Sequence, residues 1–325
     1  MPRTLTALLA LTLPPVAALA LLSLFVGVGD ASPARLISQG WDGPAAHLLL
    51  TSRLPRTLAL ILAGAGMAVA GLILQMLVRN RFVEPSTVGT TESASLGILL
   101  VMLLAPDMPM VGRMLVAAGF ALAGTLLFLA ILRRVPLRSM LMVPLIGLLL
   151  SGVIGSATTF IAYRHDLLQS LGAWTMGDFS VVLRGRYELL WIVAALVGLA
   201  IFAADRFTVA GMGRDFATNL GLNHRRIVGT GLTLVALVSA AVLVTVGTIP
   251  FLGLIVPNIA ALAVGDNMRR TLPLSLVGGV GLVLACDILG RIVIRPYEIP
   301  IGGMMGILGS AVFLFLLLRS RSRVA

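Results

Sequence analysis

The sequence predicts an all-α polytopic membrane protein of about ten transmembrane helices. Of its 325 residues, 58% are hydrophobic and only 11% are charged, and the mean hydropathy is +1.05. The apolar residues form repeated runs of roughly 20, the length at which a helix crosses a bilayer. No polar or low-complexity tract separates a second unit, so residues 1–325 are predicted to form a single transmembrane domain.

Ten candidate spans follow from these runs. The first begins close to the N-terminus and is too long for the apolar core of a signal peptide. No clear Ala-x-Ala cleavage site follows it, so it is predicted to remain as a membrane helix. The third and eighth spans are short and carry Gly or Pro near one end. The spans are 5–28, 57–77, 86–104, 111–132, 139–162, 187–205, 227–246, 250–264, 273–293 and 302–318.

All 24 basic residues are Arg. Because a nucleotide-binding P-loop requires a Lys, any ATPase that drives this protein must be a separate chain. The formal net charge is +11, but no soluble basic domain is present to bind nucleic acid. Most Arg lie at helix ends, which suits membrane topology and anionic lipid head groups.

An even number of spans places both termini on the same side of the membrane. The side of the termini carries more Arg than the opposite side, so both termini are predicted to be cytoplasmic. The cytoplasmic group is Arg3, Arg79, Arg81, Arg133, Arg134, Arg138, Arg206, Arg214, Arg225, Arg226, Arg269, Arg270, Arg319, Arg321 and Arg323. The opposite group is Arg35, Arg53, Arg56, Arg113, Arg164, Arg184, Arg186, Arg291 and Arg295.

The stretch from Gly247 to Ala260 is apolar but contains three helix-disturbing residues, Pro250, Gly253 and Pro257. A Pro inside a helix removes a hydrogen bond, and in lipid the freed carbonyl needs a partner within the protein or in a water-filled cavity. The segment therefore either lines a transport path at the centre of a bundle or is a kinked structural helix, since Gly and Pro are common in membrane helices.

A similar broken stretch, Phe82 to Gly89, follows the second helix of the first half. Two halves of five helices each have an odd count, so a duplicated unit would be inverted in the membrane. Corresponding breaks in the two halves indicate such inverted repeats, although no residue-level repeat is visible.

The sequence contains no recognisable catalytic or metal-binding group. No Ser/His/Asp grouping and no His/Cys/Asp/Glu cluster with metal-ligand spacing is present. The single Cys286 lies in an apolar run and cannot form an internal disulfide. The middle of most spans lacks ionisable residues, unlike that of most ion-coupled carriers. Asp287 is the main exception, and an ion pair with Arg291 one turn later is a simpler interpretation than a substrate contact.

The largest connection on the side of the termini is residues 206–226. Residues 214–220 suit a short helix, and Gly221 suits the position that ends it. Phe216 and Leu220 share one face of that helix. The helix therefore either docks into a groove of a cytoplasmic partner or lies on the lipid surface.

Arg residues on the opposite side flank two of the spans. Arg53 and Arg56 precede the second span, and Arg295 follows the ninth. Arg exposed at a membrane rim can pair with carboxylates of a docking protein or can simply snorkel to the interface. Residues 165–178 have the spacing of a short outer-surface helix near a pore mouth, in which Trp174 could equally be an interface anchor.

Five stretches in order along the chain carry a family resemblance. They are Arg53-Leu-Pro-Arg56, Ala70–Gln75 with Arg79-Asn80, Gly213-Arg-Asp215 with Leu220-Gly221, Gly247–Pro257, and Glu298-Ile-Pro-Ile-Gly302. Together they resemble the permease subunits of ABC importers for iron-siderophores and cobalamin. The family has Pro-His where this chain has Pro257-Asn258, and Trp-x-x-Gly-Ser where this chain has Trp174-Thr-Met-Gly-Asp178. The Asn, with Gly265-Asp-Asn267 and Cys286–Arg291, is more similar to the catecholate-siderophore subgroup.

The resemblance implies a dimer of ten-helix permeases, of the same or of different chains, in the bacterial inner membrane. Two cytoplasmic ATPase subunits would use ATP and Mg²⁺ below it, and a periplasmic or lipid-anchored binding protein would dock above. This chain would itself bind no cofactor or metal and would catalyse no reaction. The transported molecule would be a ferric siderophore of catecholate type. The alternatives are cobalamin or heme within the same family, or an ion-coupled secondary carrier.

The resemblance also implies two groups of functional residues, and the helix-disturbing residues with the short outer helix around Trp174 indicate a third. Coupling to the ATPase is assigned to Gly213, Arg214, Asp215, Phe216, Leu220 and Gly221. Docking of the binding protein is assigned to Arg53, Arg56 and Arg295. The translocation path is assigned to Trp174, Pro250, Gly253, Pro257 and Asn258.

Overall fold

The computed structural model describes residues 3–27, 29, 32–135 and 141–321. These residues form helices and connections, with no β-strand among them. The α-helices are α1 (Arg3–Phe25), α2 (Pro33–Gln39), α3 (Pro44–Leu48), α4 (Leu54–Val78), α5 (Thr90–Leu104), α6 (Met110–Leu132), α7 (Met142–Arg164), α8 (Leu168–Thr175), α9 (Trp191–Gly211), α10 (Arg214–Asn219), α11 (His224–Val246), α12 (Leu252–Val264), α13 (Met268–Val293) and α14 (Ile301–Arg321). Short π or 3₁₀ turns are Leu49–Arg53, Pro85–Thr87 and Glu188–Leu190.

Seven helical segments within these ranges are long and apolar enough to cross a membrane. They are Thr4–Phe25, Pro44–Val78, Met110–Leu132, Met142–Arg164, Glu188–Gly211, His224–Val246 and Met268–Val293. Three further apolar helices, Thr90–Leu104, Leu252–Val264 and Ile301–Phe315, are shorter. The all-helical polytopic prediction is confirmed, whereas the count of ten spans stays a prediction because the third, eighth and tenth predicted spans correspond to these shorter helices.

Several predicted boundaries shift in the structure. The second span begins well before residue 57, because α3 and a π turn run without a break into α4. Four predicted features fall outside the described residues, at least in part: Arg138, Arg323, residues 139–140 of the fifth span and residue 28 of the first.

The centre of the bundle is α4, which is buried along most of its length. It packs against α9, α11, α12 and α13. Two of these contacts are backbone to backbone: a Cβ built at Gly64 would lie 2.8 Å from the carbonyl oxygen of Gly279, and one at Gly71 would lie 2.0 Å from that of Gly253. Small residues let membrane helices approach closely, so these glycines set α12 and α13 directly against α4.

Candidate functional site

Three glycines join three separate segments near the end of α11. Gly247, Gly177 and Gly302 all lie so close to neighbouring backbone that a Cβ at any of them would come within 2.5 Å of a main-chain atom. The hydroxyl of Thr248 donates to the Thr175 carbonyl at 2.7 Å, and the amide of Gly302 donates to the Gly177 carbonyl at 3.2 Å. We call Gly177, Gly247 and Gly302 the glycine junction. It brings the stretch that begins at Trp174 to the broken stretch predicted around Pro250.

The residue just before α12 is in the left-handed conformation. Phe251 has φ 63° and its amide donates to Oε1 of Glu84 at 2.7 Å. Glu84 comes from the other broken stretch, Phe82 to Gly89, so the two predicted breaks meet in the structure. A carboxylate at a helix N-terminus satisfies amides that have no partner within the helix and is favoured by the helix dipole.

Glu84 lies in the connection between α4 and α5, outside the spanning helices, and only 1% of it is exposed. The Ser86 hydroxyl donates to its Oε1, whereas Oε2 has no hydrogen-bond partner among the described residues. Burial raises the pKa of the Glu84 carboxyl to about 7, against the lowering effect of its hydrogen bonds. The sequence interpretation of a nearly empty interior missed this residue, although an acidic side chain beside Pro85 in an apolar stretch was a visible signal.

The helix break at Pro257 is compensated by α4. Pro257 has no amide hydrogen, so the carbonyl four residues earlier, that of Gly253, lacks its helical donor. Nε2 of Gln75 donates to that carbonyl at 3.0 Å. Nδ2 of Asn258 donates to the carbonyls of Leu254 and Arg81, both at 2.7 Å. The need for a protein partner, predicted from the Pro, is therefore met by Gln75 of α4, while Asn258 ties α12 to Arg81, just before the first broken stretch.

The predicted ion pair between Asp287 and Arg291 is confirmed, but it belongs to a larger buried group. Arg56 donates to Asp287 Oδ1 from Nε at 3.1 Å and from Nη2 at 2.7 Å, and from Nη1 to Glu298 at 2.7 Å. Nη1 of Arg291 also donates to the Ser23 carbonyl at 3.0 Å. This group ties α1, α4, α13 and the segment before α14 together.

The prediction that Arg53 and Arg56 are exposed on the membrane rim is wrong. Arg53 is 5% exposed and Arg56 is 8% exposed. Nη1 of Arg53 donates to the Val26 carbonyl at 2.7 Å. Buried guanidinium groups need charged and carbonyl partners, and here the chain itself supplies them. Arg295, by contrast, is exposed as predicted.

The segment from Gly213 to Gly221 folds as its sequence predicts. It contains α10, and Gly221 has φ 74°. The Gly221 amide donates to the Thr218 carbonyl at 2.9 Å and the Leu222 amide to the Ala217 carbonyl at 3.0 Å, which is the Schellman arrangement for ending a helix.

The exposed face of α10 is apolar and flanked by charge. Phe216 is 49% exposed and Leu220 is 57% exposed. Arg214 and Asp215 at the start of the helix are exposed as well. Such a face suits a partner groove or a lipid surface, the two alternatives that the sequence left open.

A cavity of about 570 Å³ adjoins the glycine junction. It lies between α6, α8, the connection after α8 and the end of α11, with Trp174 and Gly247 both in its lining. The guanidinium of Arg113 stands 5.5 Å from the centre of the Trp174 ring. Trp174 is therefore half-buried, lines this cavity and lies beside the glycine junction.

Comparison with known proteins supplies the decisive observation. A family model described as the FecCD transport family matches residues 15–319. The chain belongs to the FecCD transport family. This membership confirms the predicted family and the role of a transport permease rather than an enzyme.

Relatives within the FecCD family match along nearly the whole chain. The petrobactin import system permease protein YclN of Bacillus subtilis is 48% identical over 94% of this chain and 96% of its own. The petrobactin import permease FatD of Bacillus anthracis is 44% identical over 93% of this chain and 88% of its own. The ferric-anguibactin transport permease FatD of Vibrio anguillarum is 42% identical over 83% of this chain and 86% of its own.

A solved structure described as a metal-chelate type ABC transporter in an inward-facing conformation shares the fold. It has a TM-score of 0.79 and 24% identity, and the match covers 98% of this chain and 100% of that chain. Backbone agreement of this extent at such low identity is evidence for the fold alone.

Proposed function

We propose that this chain is the transmembrane permease subunit of an ATP-driven ABC importer that carries a ferric siderophore across the bacterial inner membrane. The observation that carries the proposal is the 48% identity over 94% of the chain to a petrobactin import permease. Vitamin B12 and hemin permeases of the same family are only 32% and 30% identical, which makes cobalamin and heme weaker alternatives. A catecholate type of siderophore is supported by the resemblance of three stretches to the catecholate-siderophore subgroup of the family. These stretches are Asn258, Gly265-Asp-Asn267 and Cys286–Arg291.

The assembly we propose is a dimer of permeases, of identical or different chains, on two cytoplasmic ATPase subunits. Each permease is one domain of ten spans, formed by two inverted five-helix halves with both termini in the cytoplasm. The meeting of the two broken stretches through Glu84 and Phe251 is what related halves would produce. ATP and Mg²⁺ belong to the ATPase chains, and this chain holds no cofactor or metal.

The Gly213–Gly221 segment is proposed to seat on the ATPase. This proposal is supported by the exposed apolar face of Phe216 and Leu220, which lies beside the charged residues Arg214 and Asp215. ATP-driven closure of the ATPase pair would push this segment, and α11 follows it directly in the chain. The switch between outward and inward access would follow from that push.

Docking of a periplasmic or lipid-anchored binding protein is proposed at the opposite end, with Arg295 as a direct contact. Arg53 and Arg56 are assigned an indirect part in docking. They hold the ends of α1, α4 and α13 in place through Asp287 and Glu298, and so shape the surface on which the partner sits.

The translocation path is proposed to pass the start of α12, near Pro250, Gly253, Pro257 and Asn258, and the glycine junction beside Trp174. Two observations support this: the chain is broken just before α12, and the Gly253 carbonyl freed by Pro257 is satisfied inside the bundle by Gln75. Such a discontinuous helix can move without first breaking a regular run of hydrogen bonds.

The test is uptake of a ferric siderophore by proteoliposomes that contain this chain with its co-purifying partners. Uptake should require both ATP and the binding protein. Uptake driven instead by an imposed ion gradient alone would replace the proposal with the secondary-carrier alternative, for which the buried Glu84 is the observation in favour.

A further inference from the structure

The cavity beside the glycine junction has the chemistry of a ligand site. Its volume of about 570 Å³ falls in the range of roughly 300–1,000 Å³ typical of small-molecule pockets. The end of α11 contributes an apolar wall, including Leu243 and Val246, and Met108 and Met110 contribute another. Such walls favour an apolar or aromatic body over a small hydrated ion.

The polar groups of the cavity favour an anion. Arg113 and Arg186 both line it, with Asp178 as the one acidic residue in the lining. Asp178 already accepts from the amide and the hydroxyl of Ser180, each at 2.8 Å. The charge of Asp178 is therefore partly satisfied by Ser180, while two Arg residues line the same space.

Arg113 is held in place by its own surroundings. Its Nε donates to the Met108 carbonyl at 2.9 Å and its Nη2 to the Pro106 carbonyl at 2.6 Å. Its guanidinium lies over the Trp174 ring at 5.5 Å from the centroid. A fixed cation next to an aromatic face suits a planar aromatic ligand that bears negative charge.

The position of the cavity links it to transport. Trp174 and Gly247 both line the cavity. Gly247 is part of the glycine junction and Trp174 lies beside it, next to the break before α12. On the proposed topology the cavity lies at the outer ends of α6 and α11, where a molecule released by a binding protein would enter.

We propose that this cavity transiently holds an anionic, aryl-bearing arm of the ferric chelate between its release from the binding protein and its entry into the path. The inference rests on the proposed function. Ferric catecholates carry negative charge on flat aromatic rings, which matches two Arg, one Trp and apolar walls. Binding is expected to be weak, because Arg186 is exposed and the ligand must leave again.

Uptake by the complete transporter tests the inference. Arg186→Gln should lower the initial rate of ATP- and binding-protein-dependent uptake about three- to tenfold at low substrate, the loss expected for one charge-assisted contact. Arg184→Gln is the matched control, because Arg184 is exposed on the same connection but does not line the cavity. Ala173→Trp, which fills the cavity, should act like Arg186→Gln.

A direct measurement avoids dependence on transport. The chain has three Trp, and replacing Trp41 and Trp191 by Phe leaves Trp174 as the only fluorophore of this type. The ferric complex of catechol should quench Trp174 fluorescence in the assembled transporter, in liposomes of zwitterionic lipid, after subtraction of the signal of a matched assembly in which Trp174 is also replaced by Phe. Arg186→Gln should raise the concentration needed for half-quenching, whereas Arg184→Gln should not.

The possible outcomes distinguish a failure of the cavity assignment from a failure of the proposed importer function. Equal uptake and equal quenching for Arg186→Gln and Arg184→Gln would overturn the cavity assignment while leaving the importer intact. A fluorescence change caused by anionic phosphatidylglycerol but not by ferric catecholate would overturn it in favour of a lipid site. Absence of uptake by the unsubstituted transporter would count against the proposed function, and the quenching titration would still decide the cavity.

Discussion

Replacing Gln75 by Leu should destabilise the transporter, and most of this loss should disappear when Pro257 is also replaced by Ala. The Gly253 carbonyl lacks its helical donor because of Pro257, and Gln75 supplies one at 3.0 Å. Removing that donor leaves a buried carbonyl unsatisfied, at a cost of about 1–3 kcal/mol. An Ala at the Pro position would restore the helical amide, so the two substitutions should be non-additive by most of that cost, about 1–2 kcal/mol.

The measurement is the thermal unfolding midpoint of the purified complex in detergent, for the single and double variants at one scan rate. A loss of this size corresponds to several degrees, on the order of 2 °C per kcal/mol. Thr158→Val is the control: its buried hydroxyl donates at 2.8 Å to the Ile154 carbonyl, which keeps its helical donor, so the midpoint should hardly move. If Gln75→Leu lowers the midpoint equally with and without Pro257→Ala, the proposed compensation is refuted.

Three further predictions concern the buried charges and the coupling segment. Asp287→Asn leaves Arg56 and Arg291 without their shared carboxylate and should cost about 3–5 kcal/mol, measured as a lower unfolding midpoint. Because the pKa of Glu84 is raised to about 7, the folded state binds its proton more tightly than the unfolded state, so stability should fall as pH rises from about 4.5 through about 7. Glu84→Gln should flatten that part of the pH profile. Asp215→Ala, on an exposed site, should leave the unfolding midpoint unchanged but reduce uptake per ATP hydrolysed.

Each of these predictions has an outcome that contradicts it. An unchanged midpoint for Asp287→Asn would mean that the two Arg find other partners. A pH profile that is the same for Glu84→Gln and the unsubstituted protein would show that this carboxyl does not titrate in that window. Normal uptake per ATP in Asp215→Ala would remove the coupling role, and Asp205→Ala, in an exposed ion pair with Arg269, provides its control.

The features that sequence predicted correctly depend on neighbours along the chain. The end of α10 at Gly221 needs only a residue that tolerates positive φ. The Asp287–Arg291 pair needs only a spacing of one helical turn. Likewise, a span is recognised from a continuous apolar run, although whether a short broken run crosses the bilayer is not a matter of composition alone.

The features that sequence missed depend on residues far apart in the chain. Arg56 meets Asp287 across 231 residues, and Glu84 meets Phe251 across 167. Nothing in the local pattern around Arg56 distinguishes an outward guanidinium from one that is neutralised by a distant carboxylate. The glycine junction is similar, since each of its three positions reads alone as an ordinary turn glycine.

That junction has a mechanical consequence. Contacts between side chains can absorb a displacement by changing rotamer, whereas Gly177, Gly247 and Gly302 touch through main-chain atoms and have no side chain to yield. The helix that ends there, α11, has 23 residues and is about 34 Å long, and it begins at His224, just beyond α10. We expect α11 to move as a rigid body, so that a displacement of α10 at its start is transmitted in full to α8 at its end. Spin labels on α8 and α10 that move independently would contradict this expectation. Main-chain contact at these three glycines would then transmit the displacement directly, without a relay of side-chain contacts.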